Sequence, residues 1–213
     1  MLKLYGVPLS NYYNMVKVSL LEKRLPFEEV RQGGVQEEAY LAKSPMGKIP
    51  VLETEHGFIS ETHVILDYLE DAFPSPTPAF LPANPYARAK VRELTQYIAL
   101  YLELVARRGF GVIFKREVAD DVKAGIKADM TKNIAAVKRL LKFSPWVAGQ
   151  DMSYADFVLY YTLALANDAT KANTDIDLVK ELGAEAWHAR MAARDSVHAA
   201  DVASAAHRKS LGL

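Results

Sequence analysis

The chain has 213 residues, 50% of them hydrophobic, and its 26 lysines and arginines balance 26 aspartates and glutamates. This length predicts one large domain or two small ones, and the charge balance argues against a nucleic-acid partner, since such proteins normally carry a basic excess. No apolar run approaches the roughly 18 residues of a membrane span, and the N-terminus lacks the pattern of a signal peptide. We therefore expect a soluble, cytoplasmic protein without a membrane partner.

The sequence contains no cysteine. This absence excludes disulfides, thiolate metal sites and a thiol nucleophile carried by the protein itself. The five histidines show no metal-ligand spacing, so we expect no bound metal. Any thiol chemistry must therefore use a thiol that a ligand brings.

Short strand patterns alternate with helical patterns over the first 73 residues. Strands are predicted at residues 2–5, 27–30, 51–54 and 58–60, and helices from residue 11, at 37–41 and at 62–73. Gly57 supplies the positive φ of a tight turn between the last two strands. The order βαβαββα predicts a small mixed sheet in which the first two strands run parallel.

A proline-rich stretch separates this α/β pattern from a helical one. Five of the ten prolines fall between Pro74 and Pro85, which predicts an extended connector. Helices are predicted at 86–115, with Gly109 and Gly111 as the place of a bend, and at 118–142. A third begins at Ser153, where Ser153 and Asp156 have capping-box spacing. We expect an α/β domain at 1–78, a linker at 79–85 and an all-helical bundle at 86–213.

Three segments resemble the cytosolic glutathione transferases in order and spacing: KLYGVPLSNYYNMVKVSLLEKRLPFEEV, KSPMGKIPVLETEHGFISETHVILDYLEDAFPSP and VAGQDMSYADF. The resemblance covers essentially the whole chain. It implies a thioredoxin-like domain followed by an all-helical domain, with glutathione as co-substrate and no metal. It also implies a C2 homodimer and a Ser-type enzyme that activates the glutathione thiol against small, partly apolar electrophiles.

The resemblance implies that the peptide bond before Pro50 is cis, a form that costs only about 0.5–1 kcal/mol before proline. The resulting turn bares the backbone N–H and C=O of Ile49, and the cysteinyl unit of glutathione pairs with them as an added strand. Lys48 lies near the glycine carboxylate of glutathione, with Gln36 as a further candidate at that end.

By the same resemblance, Glu61 and Thr62 bind the γ-glutamyl end of glutathione. Ser60 or Glu61 caps the helix that follows, so the positive end of its dipole faces the γ-glutamyl carboxylate. Thr62 donates its hydroxyl and its amide to that carboxylate, and Glu61 takes the α-amino group. The same residues would also suit a helix start that binds no ligand.

Ser10, between the first strand and the first helix, is the candidate catalytic residue. A free thiol has a pKa of about 8.5, and a hydroxyl that donates to the sulfur favours the nucleophilic thiolate. Ser10 would act as a hydrogen-bond donor and would also suit the N-cap of the helix. Asn11 and Tyr12 remain alternative donors.

Two further kinds of function stay open on this scaffold. One is glutathione-dependent isomerisation or dehalogenation of the substrate. The other is a non-catalytic binding or regulatory module. A regulator tends to lose the set formed by Ser10, Glu61 and Thr62, and this chain retains it.

Overall fold

A computed structural model describes residues 1–74 and 78–213, so residues 75–77 of the predicted connector lie outside the described residues. The chain forms two compact units. The first contains Met1–Ala79 and Asp195–Leu211, and the second contains Phe80–Arg194 and Gly212–Leu213. The predicted change from α/β to helical structure therefore falls at the proline-rich stretch.

The first unit is built on a four-stranded sheet with the order β2-β1-β3-β4. Its strands are β1 (Leu2–Gly6), β2 (Phe27–Arg31), β3 (Val51–Thr54) and β4 (Gly57–Ser60). β1 runs parallel to β2, whereas the β1–β3 and β3–β4 pairs are antiparallel. Gly57 has a φ of 126°, and the predicted hairpin turn is confirmed.

Three helices join these strands: α1 (Asn11–Glu22), α2 (Glu38–Leu41) and α3 (Thr62–Ala72). α1 packs against α3. Tyr5, Tyr40 and Val51 form a buried cluster beside α2, and since side chains alternate along a strand, Leu4 and Leu52 point to the opposite face. The order βαβαββα and the mixed sheet are confirmed.

Helices make up the second unit. They are α4 (Pro85–Tyr97), a π-helical turn (Ile98–Glu103), α5 (Leu104–Arg107), a 3-10 helix (Phe110–Phe114), α6 (Asp120–Lys138), α7 (Tyr154–Thr174), α8 (Leu178–Leu182) and α9 (Glu185–Ala192). The segment predicted as one helix over 86–115 is divided into α4, the π-helical turn, α5 and the 3-10 helix, and its break lies where a bend near Gly109 and Gly111 was predicted. The chain breaks at Gly109, whose carbonyl accepts from Asn173 at 3.1 Å, and a Cβ at Gly109 would lie 2.6 Å from that amide nitrogen.

The start of α7 is a buried polar centre. The predicted capping box is present, and Asp156 accepts from the Ser153 N–H at 2.8 Å. The same carboxylate accepts from the Val147 N–H at 3.0 Å and from the Trp187 indole at 2.8 Å. Burial raises the pKa of Asp156, and these hydrogen bonds limit the rise because they favour the carboxylate.

The last helix, α10 (Asp195–Ser210), packs against α1 and belongs to the first unit. Val197 and Ala200, one turn apart, are its buried residues, and the Ser196 hydroxyl donates to Glu22 at 2.5 Å. The structure therefore differs here from the expected helical domain over 86–213.

Among the described residues, no helix has the length and apolar character that crossing a membrane requires.

We predict that Asp156→Ala lowers the free energy of unfolding by about 3 kcal/mol, because it leaves several buried donors without their acceptor. Denaturant unfolding measures the loss. Asp120→Ala is the matched control: Asp120 is exposed in the first turn of α6 and pairs with Lys123 at the surface. Its effect should stay within about 0.5 kcal/mol. Equal losses in the two variants would contradict a special role for the buried carboxylate.

Candidate active site

Ser10 is the N-cap of α1, as the sequence predicted. Its backbone is extended, and its hydroxyl oxygen accepts from the Tyr13 N–H at 3.3 Å. The Ser10 N–H donates to the Val7 carbonyl at 3.0 Å, which ties the residue to the loop after β1. The side chain is half-buried, and its O–H donates to none of the described residues. A hydroxyl that caps through its oxygen keeps its proton for a ligand.

A close approach between Gly6 and Tyr13 holds the start of α1 against the sheet. A Cβ at Gly6 would lie 2.2 Å from the Tyr13 ring, so only glycine fits there. The buried Tyr13 hydroxyl donates to Glu29 on β2 at 2.5 Å, and Lys17 binds the same carboxylate at 2.8 Å. This network fixes the first turns of α1 to β1 and β2, and with them the position of Ser10.

The same network shifts the pKa values of its members. Burial raises the pKa of the Tyr13 hydroxyl, and the neighbouring Glu29 carboxylate raises it further. Burial works against ionisation of Glu29 as well, but the hydrogen bonds from Lys17 and Tyr13 outweigh it and lower the pKa of Glu29 below its ordinary value. The carboxylate is therefore ionised at neutral pH.

The two alternative donors differ from Ser10 in their surroundings. Asn11 is buried and already engaged in interactions within the described chain. Tyr12 is half-buried, and its backbone carbonyl accepts a hydrogen bond from Thr62. Ser10 remains the candidate whose proton has no partner among the described residues.

The peptide bond between Ile49 and Pro50 is cis, as the resemblance implied. Pairing of β1 with β3 begins at Val51, and no hydrogen bond from the described residues reaches the backbone N–H or C=O of Ile49. The loop before it is fixed, since the Lys48 carbonyl accepts from the Tyr40 hydroxyl at 3.1 Å and the Lys48 N–H donates to Ser44 at 3.0 Å. The Ile49 backbone thus forms an open edge that extends β3.

Glu61 is the N-cap of α3 and has a φ of 69° with a ψ of 114°. A positive φ is uncommon for a residue other than glycine, and such conformations cluster at functional sites. The Glu61 side chain makes no capping hydrogen bond, and the first turn of α3 contains no acidic residue. The first backbone N–H groups of α3 are therefore not paired with a carboxylate from Glu61 or from the first turn of the helix. Such a helix start suits an external anion.

Thr62 is buried at the first position of α3, and its hydroxyl donates to the Tyr12 carbonyl at 3.4 Å. This bond is long for an O–H donor, so a carboxylate could compete for the hydroxyl. It brings the start of α3 beside the start of α1. The pairing of Val51 with Ser60 brings the Ile49 edge beside the same helix start. Ser10, Ile49 and Thr62 therefore converge in the first unit.

Lys48 and Gln36 lie at one end of this open edge, and both are exposed. The Gln36 side chain donates to the Met46 carbonyl at 3.2 Å. Gly47 lies between them with a φ of 62°, and a Cβ there would lie 2.4 Å from the Gln36 amide nitrogen. The segments before and after α2, which carry the two residues predicted for the glycine end of the ligand, thus pack against each other.

Sequence reasoning did not single out His63, which follows Thr62 in the first turn of α3. Burial lowers the pKa of His63, although the carboxylates of Asp67 and Glu61 act in the opposite direction. The helix start therefore carries a neutral imidazole at neutral pH. Nothing in the sequence pattern indicates this burial.

No group of three or more acidic, histidine or cysteine side chains in residues 1–74 and 78–213 is arranged to hold a metal ion.

Two family models match the chain. Residues 4–77 match "Glutathione S-transferase, N-terminal domain", and residues 110–199 match "Glutathione S-transferase, C-terminal domain". A glutathione S-transferase of Pseudomonas putida is 48% identical over 182 residues, which cover 85% of this chain and 82% of that protein.

Solved structures of this family share the fold. A glutathione S-transferase from Pseudomonas fluorescens superimposes with a TM-score of 0.75 at 26% identity, covering 92% of this chain and 96% of its own. Rice GST1 in complex with glutathione has a TM-score of 0.77 at 24% identity and covers 100% of this chain and 98% of its own. The likeness to the rice protein concerns the fold alone.

We predict that Glu29→Gln reduces the loss of stability on acidification. Because the folded-state pKa of Glu29 is lowered, its stabilisation is present above the ordinary glutamate pKa of about 4.3 and disappears as the pH falls through the folded value. The effect should stay under about 1 kcal/mol, since 45% of the side chain is exposed. Denaturant unfolding at a series of pH values measures it.

Glu28→Gln is the control for this measurement, because Glu28 is the exposed neighbour on β2. We expect the stability of the wild type and of Glu28→Gln to fall in parallel on acidification. A Glu29→Gln curve that stays parallel to them would contradict the role assigned to the Tyr13–Glu29–Lys17 network.

Proposed function

The chain belongs to the glutathione S-transferase family, and we propose that its first unit binds glutathione and activates the thiol for attack on small, partly apolar electrophiles. The observation that carries this proposal is the convergence of three features: the unengaged Ser10 proton, the open Ile49 edge and the uncapped start of α3. Each feature offers a group that one part of glutathione requires: a donor for the sulfur, a backbone edge for the cysteinyl unit and N–H groups for the γ-glutamyl carboxylate. Conjugation of glutathione to a chlorodinitrobenzene by the purified protein tests the activity.

In the proposed reaction Ser10 stabilises the thiolate of bound glutathione. The thiol loses its proton to solvent, and the Ser10 O–H donates to the sulfur, which favours the anion. The sulfur then forms a bond to the electrophilic carbon, and the leaving group departs with its electron pair. Ser10 itself is neither deprotonated nor acylated. Binding both reactants in one site contributes proximity.

Glutathione would lie along the open edge as an added strand. The backbone N–H and C=O of Ile49 pair with its cysteinyl unit, and the cis bond to Pro50 shapes the turn that leaves them accessible. Lys48 is proposed to pair with the glycine carboxylate, with Gln36 assisting at that end. The complex of the structurally similar rice protein with glutathione supports a peptide ligand on this fold.

The γ-glutamyl end would bind at the start of α3. Its carboxylate accepts from the Thr62 amide and hydroxyl, after the hydroxyl gives up its long bond to the Tyr12 carbonyl. The α-amino group pairs with the exposed carboxylate of Glu61. The positive φ of Glu61 supports this assignment, since it sets the direction in which that side chain leaves the backbone.

We extend the proposal, from family resemblance, to a C2 homodimer located in the cytoplasm that works without a metal ion.

Isomerisation or dehalogenation of the substrate would use the same activated thiol. A non-catalytic module would bind glutathione without turnover, but the retained set of Ser10, Glu61 and Thr62 favours an enzyme. Retention on immobilised glutathione combined with absence of activity towards a panel of electrophiles would instead support the module.

We predict that Ser10→Ala lowers kcat/KM for conjugation by about 10- to 100-fold, because the thiolate loses a hydrogen bond to a charged atom. The glutathione Kd, measured by calorimetry, should stay within about twofold, since the other contacts remain. Tyr12→Phe is the control and should retain activity. Full activity in Ser10→Ala together with loss in Tyr12→Phe would transfer the catalytic role to Tyr12.

We predict that Thr62→Ala weakens glutathione binding by about tenfold, since one hydrogen bond to a carboxylate is worth about 1.5 kcal/mol. Thr62→Ser retains the hydroxyl and should bind like the wild type. The calorimetric Kd measures both variants. An unchanged Kd in Thr62→Ala would remove the Thr62 hydroxyl from the binding site.

A further inference from the structure

We propose that Asn14 is a positioning residue that holds the loop bearing Ser10, so that the Ser10 hydroxyl reaches the glutathione sulfur. Asn14 lies one turn after Ser10 on α1, and its side chain contacts the loop that precedes the helix. The inference rests on the proposed function of Ser10 and adds a residue that acts through it.

The contact that carries the inference is a hydrogen bond from α1 back to the preceding loop. The Asn14 side-chain amide donates to the Pro8 carbonyl at 2.8 Å, and its backbone N–H donates to the Ser10 carbonyl at 3.0 Å. Asn14 therefore holds the carbonyls of both residues that flank Leu9. The Ser10 N–H bond to the Val7 carbonyl closes the same turn. Proline cannot donate a hydrogen bond, so the only backbone hydrogen bond available to Pro8 is through its carbonyl.

The surroundings of Asn14 indicate that fold stability alone does not explain this residue. Asn14 is 2% exposed, and its Oδ1 has no hydrogen-bond partner among the described residues. A buried acceptor without a partner costs free energy, and an apolar side chain of similar size would avoid that cost. What asparagine provides here and leucine cannot is the bond to the Pro8 carbonyl.

Ser19 is a buried polar residue of α1 whose side-chain hydrogen bond stays within the helix. Its hydroxyl donates to the Met15 carbonyl at 2.8 Å, inside the same helix, and the residue is fully buried. Both Ser19 and Asn14 are buried residues of α1 that donate from a side chain to a backbone carbonyl. Only Asn14 reaches the loop that carries Ser10, so Ser19→Ala is the matched control.

The test measures the pKa of the bound glutathione thiol through the ultraviolet absorbance of the thiolate. Wild type, Asn14→Leu, Ser10→Ala, the double variant and Ser19→Ala are compared, with the glutathione Kd and Tm recorded for each. We expect Asn14→Leu to raise the thiol pKa by about one unit, which is about tenfold less thiolate below the pKa. Its Tm should stay within about 4 °C of wild type or rise, and its Kd within about twofold.

The double variant decides whether Asn14 acts through Ser10. We expect it to match Ser10→Ala within about twofold in thiolate fraction, because a mispositioned hydroxyl and a missing one remove the same hydrogen bond. Additive losses would show that Asn14 acts independently and would overturn the inference. Ser19→Ala should leave the thiol pKa at the wild-type value.

A thiol pKa in Asn14→Leu equal to that of the wild type would also overturn the inference, while the proposed function would stand if Ser10→Ala still raised the pKa. If leucine prevents folding, Asn14→Ala undergoes the same comparison and the same criteria apply. A wild type that binds no glutathione, or a Ser10→Ala variant with an unchanged thiol pKa, would overturn the proposed function and this inference with it.

Discussion

The packing of the Tyr13 ring on Gly6 determines where α1 begins relative to the sheet. Any side chain at Gly6 would occupy the space of the ring, and the Tyr13 hydroxyl continues through Glu29 to Lys17. Since α1 is buried along most of its length, it cannot slide without disturbing the core. The position of the Ser10 hydroxyl is therefore a consequence of core packing, and a reactive sulfur would meet a donor that is already in place.

The candidate site is built largely from backbone groups. The Ile49 N–H and C=O, the first amides of α3 and the Tyr12 carbonyl all belong to the main chain. In the proposed complex, Ser10, Glu61 and Thr62 add side-chain chemistry near the sulfur and the γ-glutamyl end. Backbone groups carry no sequence signature of their own, so the sequence reveals such a site only through the residues that shape it: a proline before a strand, a glycine in a turn and a polar helix start.

This explains how far the sequence could predict the structure. Short strand-type runs and the turn at Gly57 predicted the strands, and the capping-box spacing predicted the start of α7, because these signals are local. The cis bond at Pro50 followed from resemblance and is confirmed. The same local signals could not show that Thr62 would donate to Tyr12, since that contact joins two helix starts 50 residues apart.

Three other features were also missed. In the π-helical turn after α4, the Tyr101 carbonyl accepts from the Asn133 side chain of α6 at 2.9 Å, and side-chain bonds of this kind accompany departures from regular helix. The second cis bond, at Ser144–Pro145, has no pattern that separates it from a trans proline. The positive φ of Glu61 is also invisible in composition, because glutamate rarely adopts it.

The packing of α10 on α1 has a consequence for biosynthesis. The Ser196–Glu22 bond spans 174 positions, so α1 meets α10 only after the ribosome has made the helices α4 to α9 that lie between them in the sequence. Until then the nascent first unit presents an uncovered flank of α1, where a growing chain is prone to aggregate. Completion of the first unit thus waits until the helices of the second unit have been made, and a premature stop codon before Asp195 would leave the first unit without α10 however far upstream the site residues lie.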